Sequence, residues 1–233
     1  MKIFTKDIWL SSVLSVASYK LNNFSEEIGK EILKLPSPNL IFFSVNASED
    51  DYIEKLEHEG FYYVDSNIQF ESPREKILIT KINPDFNIRF AEIIDKEKII
   101  KIASESFKNN RFYRDPRISN DDASKIKKEW VLSFFKKKRG DHIFIIEYQK
   151  KICGFLLVIL QDKKLIIDLI ATSHEMRGMG VAKNLISYAV ENNDLNFDVI
   201  QVGTQISNII SVNLYTSMNF KPISINSIYH RHG

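Results

Sequence analysis

Apolar positions along the 233-residue chain switch between two periods, and the switches mark its elements. "NLIFFSV" (residues 39–45) is an unbroken apolar run with aromatic and β-branched members, which predicts a buried strand. In the following segment Tyr52, Ile53, Leu56 and Phe61 recur at helical spacing, and Gly60 supplies a helix stop. "FYYVDSNIQFE" then alternates as a strand does. Pro73 and Pro84 both disfavour continuous structure. The reading therefore divides the chain into a smaller N-terminal α/β domain, residues 1–84, and a larger second domain, residues 85–233.

The second part is more regular. "NIRFAEI" predicts a strand, and "DKEKIIKIASESF" a helix capped by Asp95, with Ile99, Ile102, Ala103 and Phe107 on one face. "ISNDDASKIKKEWVLSFFKKK" predicts a second helix whose basic tail, residues 136–139, suits the negative end of the helix dipole. "HIFIIEY" and "ICGFLLVIL" form a hairpin, and "KLIIDLIAT" adds a strand. A helix, "VAKNLISYAVENN", leads to the strand "DVIQVGTQ", the helix "NIISVNLYTSM" and a last alternating strand, "ISINSIYHR". This order predicts an α/β (α+β) fold with a mixed central sheet and helices on both faces.

Charge narrows the partners. Thirty-two Lys and Arg nearly balance 30 Asp and Glu, for a formal net charge of +2, so no electrostatic footprint for nucleic acid is expected. One cysteine, Cys153, excludes an intramolecular disulfide and a cysteine-based metal cluster, and no metal is expected. No apolar run approaches the roughly 20 residues of a membrane helix, so the expectation is a cytoplasmic protein without a membrane partner.

The chemistry concentrates in "ATSHEMRGMGVAKNL", residues 171–185, where a strand ends in a loop that opens a helix. Such a turn aims free backbone N–H groups and the positive dipole end at one point. Gly178 and Gly180 let an anion approach the backbone, and Arg177 adds a charged donor. No Gly-Lys-Ser/Thr follows, which excludes a Walker loop, and Lys183 occupies the third glycine position of a dinucleotide fingerprint. A pyrophosphate held by backbone amides remains.

Arg177-Gly178-Met179-Gly180-Val181-Ala182 resembles the R/Q-x-x-G-x-G/A motif of the GNAT (Gcn5-related N-acetyltransferase) superfamily. "NIISVNLYTSMNF" is similar to that superfamily's N-x-x-A-x-x-L-Y-x-x-x-G-F segment. Ser211 replaces the usual Ala and Asn219 the usual Gly, and Asn tolerates a left-handed backbone better than most residues. The resemblance implies a GNAT fold, acetyl-CoA as co-substrate and a pyrophosphate cradle at residues 177–182. It further implies that Ile170, Ala171 and Thr172 pair with pantetheine through their backbone, that Asn208 contacts the cofactor, and that Tyr215 protonates the departing thiolate. "SFKNNRFYRDPRI" and "SIYHR" resemble enzymes of the dTDP-fucosamine acetyltransferase group, which acetylate a nucleotide-linked 4-amino-4,6-dideoxy sugar. That implies a nucleotide-sugar partner met by Arg111, Phe112, Tyr113, Arg114, Tyr229 and His230, and a homodimer.

Each residue has a plainer alternative. Tyr215 also fits a core stripe with Ile210, Leu214 and Met218, and Asn208 also fits a helix cap. Asp168, mid-strand in "LIIDLIA", is a candidate general base, or else a strand-edge Asp paired with a nearby Lys. His230 is the second candidate base. "NNRFYRDPRIS" combines arginines that grip phosphate with aromatics that stack, or is a charged surface loop turned by Asp115 and Pro116. Beyond a nucleotide-amino-sugar N-acetyltransferase, the alternatives are a GNAT enzyme for another small amine and a non-catalytic CoA-binding module.

Overall fold

The computed structural model describes residues 2–25, 27–48, 53–108 and 110–233. Tyr52 of the expected helical stripe, and Asn109 at the start of the arginine-rich stretch, lie outside them. The elements follow in chain order: β1 (Phe4–Lys6), α1 (Ile8–Leu14), β2 (Ala17–Leu21), α2 (Ile28–Ile32), β3 (Asn39–Asn46), α3 (Ile53–His58), β4 (Tyr62–Pro73) and β5 (Phe86–Phe90). Then come α4 (Lys96–Ser106), α5 (Arg111–Arg114), α6 (Asn120–Phe135), β6 (His142–Tyr148), β7 (Lys151–Gln161) and β8 (Lys164–Thr172). Last are α7 (Val181–Glu191), β9 (Val199–Gln205), α8 (Ile209–Ser217) and β10 (Lys221–His232). The expected mixed α/β architecture is present.

Where the sequence divides at residue 84, the compact units interleave. One comprises Met1–Asn67, Asn109–Ile126 and Ser224–Gly233, and the other Ile68–Lys108 and Lys127–Ile223. In the first unit the strand order is β1-β2-β3-β10-β4. β1 is antiparallel to β2, β2 parallel to β3, and β3 antiparallel to β10. Leu21, Ile28, Ile32, Ile41, Leu56 and Phe61 build its core, because α2 and α3 lay their apolar stripes on the sheet.

In the second unit the order is β4-β9-β8-β7-β6-β5. β5 to β8 form an antiparallel meander, and β8 runs parallel to β9. β7 is buried from Cys153 to Val158, which explains its unbroken apolar run: both faces are covered. Phe155 and Leu157 point to the cluster of Ile99, Ala103, Val131 and Phe134 from α4 and α6. The alternate positions face α7. Gly154 is one of these, and a Cβ there would stand 2.7 Å from Val181 and 2.9 Å from the Ala171 carbonyl oxygen, so its bare backbone admits the first turn of α7.

Two hairpin turns of the meander use non-glycine residues at positive φ: Gln149 and Lys150 at 49° and 63°, Asp162 and Lys163 at 49° and 60°. This is the mirror-image geometry that matches strand twist. Asn219, beyond α8, has φ 69°, as its tolerance of that region allows, and its amide also donates to the Lys76 carbonyl at 2.8 Å. Asp95 differs from expectation. It does not cap α4; its carboxylate accepts from Arg89 at 2.7 and 3.1 Å and from the Glu92 N–H at 2.8 Å.

Gly154→Val should lower the melting temperature, since overfilling a packed site typically costs about 1–3 kcal/mol. A thermal melt that matches the wild type would disprove the close-approach role.

Candidate functional site

In the second unit, β8 and β9 pair only from Lys164↔Val199 to Ile167↔Val202. β8 continues to Thr172 and β9 to Gln205. Beyond Ile167 and Val202 the two strands therefore part, while β8 keeps its other edge on β7 as far as Gly154↔Thr172. The separation starts at a β-bulge. Leu157 opposes Leu169 and Val158 opposes Ile167, so Asp168 is the extra residue. Among the described residues, one edge of 168–172, including Ile170, Ala171 and Thr172, has no strand partner.

Asp168 is held where the strands part. Its Oδ2 accepts from Trp130 Nε1 at 2.6 Å and from Arg139 Nε at 2.7 Å, and its Oδ1 from Arg139 Nη2 at 2.6 Å. The carboxylate is 8% exposed, and the Arg139 guanidinium lies 4.6 Å from the Trp130 ring centroid. This is a bidentate ion pair, as in the second sequence alternative, but the partner is Arg139 and not a lysine. Both oxygens are engaged, Oδ2 by two donors and Oδ1 by one. The same contact corrects the reading of the 136–139 tail, whose Arg139 serves the sheet and not merely the dipole of α6.

After β8 a short 3₁₀ turn, His174–Met176, leads to the glycine loop and α7. Gly178 and Gly180 have φ of 81° and 78°, a region that other L-residues avoid. A Cβ at Gly178 would meet nothing within 4 Å, so the loop has open space above its backbone. The first three N–H groups of α7, from Val181, Ala182 and Lys183, have no acceptor within the helix. The Met179 N–H is engaged by the Met176 carbonyl at 3.3 Å, and Arg177 is exposed. Asn184 was not anticipated. It is 4% exposed, donates to the Gly180 carbonyl at 2.9 Å and accepts from the Asn83 N–H at 2.9 Å, which fixes the loop to residue 83. An Asn on the apolar face of the first helical turn was its only signal.

Asn208 caps α8: its Oδ1 accepts from the Ser211 N–H at 3.3 Å, and its amide donates to Thr204 Oγ1 at 3.3 Å. Tyr215 is 2% exposed between Phe70 and Phe220, at ring distances of 5.8 and 5.6 Å. Burial pushes its phenol well above the ordinary tyrosine range, and among the described residues nothing hydrogen-bonds its hydroxyl. The group is both a core aromatic and a neutral donor.

The first unit gathers the arginine-rich stretch. Phe112 is 4% exposed, so it offers no open face for stacking a base. Instead the Arg111 guanidinium lies 4.5 Å from both the Phe112 and the Phe42 rings. Asp115, 1% exposed, is a hub and not a surface turn. Its Oδ2 accepts from His230 Nδ1 at 2.6 Å and His232 Nε2 at 2.8 Å, and its Oδ1 from the Tyr62 hydroxyl at 2.7 Å and the Arg117 N–H at 2.9 Å. Burial alone would raise the Asp115 pKa, but these bonds outweigh it and hold the carboxylate below its usual range. His230 is 0% exposed; burial depresses it to about 4 against the pull of Asp115, so it is neutral at pH 7. Asp115, His230 and His232 have ligating atoms within 4.8 Å of one another. The separations are those of hydrogen bonds, and Arg111 Nη1 lies 3.4 Å from His230 Nε2, a cation on the far side of the ring.

Tyr113 is half-buried, and Tyr229, 4% exposed, meets Tyr63 edge-on at 6.0 Å. Arg114 contacts Asp65, a buried carboxylate that the sequence reading passed over. Its signal, a charge in the middle of the alternating "YYVDSNIQF", is the one that had drawn attention to Asp168.

Comparison with known proteins bears on the second unit above all. A family model described as Acetyltransferase (GNAT) family matches residues 98–220. A curated relative, the spore coat polysaccharide biosynthesis protein SpsD of Bacillus subtilis, is 24% identical over 201 residues, covering 85% of this chain and 68% of that protein. Among solved structures, a functionally unknown conserved protein from Staphylococcus epidermidis superposes with a TM-score of 0.71 at 12% identity, over 96% of this chain and 88% of that one. A GCN5-related N-acetyltransferase from Sphaerobacter thermophilus gives 0.67 at 11% identity, over 98% and 75%. No helix among the described residues is long and apolar enough to cross a membrane.

Asp168→Asn keeps the shape and weakens the ion pair, so the melting temperature should fall while kcat per folded molecule is retained. A variant of unchanged stability whose activity recovers only at high pH would restore Asp168 as the base.

Proposed function

The chain belongs to the acetyltransferase (GNAT) family, and from that premise we propose that it transfers acetyl from acetyl-CoA to the amino group of a nucleotide-linked amino-deoxy sugar, of the dTDP-4-amino-4,6-dideoxyhexose type, by direct attack in a ternary complex. One observation carries the donor half: β8 and β9 separate beyond Ile167 and Val202, next to a glycine loop with open space above its backbone. An unpaired strand edge takes an extended amide-bearing chain such as pantetheine as a further strand. The N–H groups at the start of α7, with Arg177 beside them, suit a pyrophosphate. These features fit acetyl-CoA, with residues 177–182 for the pyrophosphate and the backbone of Ile170, Ala171 and Thr172 for pantetheine. One backbone N–H there would polarise the thioester carbonyl.

The sugar half rests on the SpsD resemblance, since that relative's name places it in polysaccharide biosynthesis, and on the arginines of α5. Arg111 and Arg114 supply charge for a diphosphate, with Tyr113 between them on α5, whereas Tyr229 packs into the core against Tyr63. Phe112 and His230 act from beneath: the ring faces Arg111, and the imidazole approaches it. Transfer forms an N–C bond and breaks a C–S bond. Tyr215, kept neutral by burial, returns a proton to the departing thiolate. Asn208 orders the start of α8, and with it Tyr215, instead of contacting the cofactor.

The deciding experiment is a mass-spectrometric screen of nucleotide-linked amino sugars, polyamines and amino acids with acetyl-CoA. Acetylation of a nucleotide sugar supports the reading, and acetylation confined to the other amines refutes it. Gly178→Val should strongly raise the KM for acetyl-CoA, because its side chain would fill space that only a ligand can occupy; an unchanged KM in folded protein counts against the cradle. Tyr215→Phe should lower kcat by about 10²- to 10⁴-fold with acetyl-CoA affinity retained. Wild-type kcat, with chemistry rate-limiting, would remove Tyr215 from its role.

A further inference from the structure

Among the described residues, four buried side-chain oxygens of the first unit have no hydrogen-bond partner, Ser25 Oγ, Asn39 Oδ1, Asp65 Oδ2 and Asn67 Oδ1, and the last two are neighbours on β4. Asp65 is 0% exposed, and its Oδ2 has no hydrogen-bond partner. Two residues further along β4, the Oδ1 of Asn67 is likewise buried and without a partner. Residues i and i+2 of a strand share a face about 6.6 Å apart, so both oxygens stand on one side of β4. The other Asp65 oxygen is engaged: Oδ1 accepts from the Ser66 N–H at 2.9 Å and from Arg114 Nη1 at 3.3 Å. An unmatched buried acceptor is expensive, and a half-used buried carboxylate more so, which is why such groups are rare in folded proteins outside functional sites.

What the pair lacks is a donor. Both free atoms only accept, one of them on a carboxylate, so the complementary ligand is a small cation with several N–H groups. A primary ammonium meets that description. Two arginines, both on α5, act on the carboxylate: Arg114 by contact and Arg111 through space. Burial still prevails over Arg114, the Ser66 N–H and Arg111, and raises Asp65 above its ordinary value, toward the behaviour of a group that exchanges protons.

We propose that Asp65 Oδ2 and Asn67 Oδ1 form the subsite that receives the ammonium of the acceptor, and that Asp65 is the group that takes its proton. The inference rests on the amine-acetyltransferase reading and adds the base that Asp168, engaged by Arg139, does not supply. In the step, one N–H bond of the ammonium breaks and an O–H bond forms on Oδ2. The electron pair stays on nitrogen as the lone pair that attacks a thioester carbonyl, and Asp65 later releases its proton to water.

The test compares dTDP-4-amino-4,6-dideoxygalactose with dTDP-fucose, which carries a hydroxyl in place of the amine. Calorimetry on the wild type should show preference for the amine, and Asp65→Asn should abolish it while the dissociation constant for acetyl-CoA stays the same. In turnover, Asp65→Asn should lose about 10²-fold or more of kcat/KM at pH 7. Asp65 must be ionised to act, so wild-type kcat/KM falls as pH drops through its pKa. In the variant the rise should move up to the pH at which the amine itself loses its proton. Asn67→Val, which removes the neutral acceptor alone, should weaken amine binding by about 2- to 12-fold, one hydrogen bond's worth, and covers the case in which Asp65→Asn fails to fold. An Asp65→Asn protein that keeps the amine preference and the wild-type pH profile overturns the proposal even if the wild type acetylates the sugar. A wild type that acetylates only another amine defeats the sugar reading instead, and the same Asp65→Asn comparison on that amine then decides the subsite.

Discussion

The parting of β8 from β9 depends on one extra residue in a strand. Without a bulge, β8 and β9 could continue their parallel ladder, and every backbone group between them would be satisfied internally. Asp168 breaks that continuity, and its carboxylate is fastened from outside the sheet by Trp130 and Arg139. The unpaired edge of residues 168–172 follows from that fastening. So does the direction in which the chain enters the glycine loop, which Asn184 then anchors from the other side through Gly180. An ion pair with one partner exposed is seldom a strong source of stability. Here it fixes a backbone shape that the ladder hydrogen bonds would otherwise oppose.

The first unit follows a different logic. Its polar centre is a carboxylate, Asp115, that takes four donors from β10, β4 and its own turn and leaves itself no further valence. His230 and Phe112 lie beneath Arg111, setting the height and tilt of its guanidinium. Asp65 is the counterpart of Asp115, with equal burial and half the partners. Two buried carboxylates of one unit, one saturated and one not, divide between them the tasks of holding the fold and meeting a ligand.

The parts of the site that were legible are those whose chemistry is local. A strand, Arg177, two glycines at positive φ and a helix are contiguous, and turn stereochemistry alone picks them out. The parts that were not depend on where distant side chains arrive. Asp168 could not be settled because its partner, Arg139, is 29 residues away, beyond a helix end whose residue Lys137 turns back with φ 53°. Phe112 reads as a stacking aromatic until its burial is known, and Asn208 reads as either a cofactor contact or a helix cap until its bond to the Ser211 N–H is seen. Asp65 carried a visible signal, a charge amid an alternating strand, but only its unmatched oxygen separates it from an ordinary strand polar residue. Among the elements, α1 and β2 escaped because "IWLSSVLSVASYKL" fits both periods, and β1, α2 and α5, of three to five residues, are too short to show one.

The turns at Gln149–Lys150 and Asp162–Lys163 bear on where this sheet holds local strain. Neither pair contains the Asn-Gly or Asp-Gly sequence that adopts a mirror-image turn spontaneously, and a left-handed backbone is disfavoured for all four residues. The β6–β7 and β7–β8 turns are therefore held at a local backbone cost, which the apolar pairs across the strands, such as Phe144 with Leu156 and Leu157 with Leu169, offset.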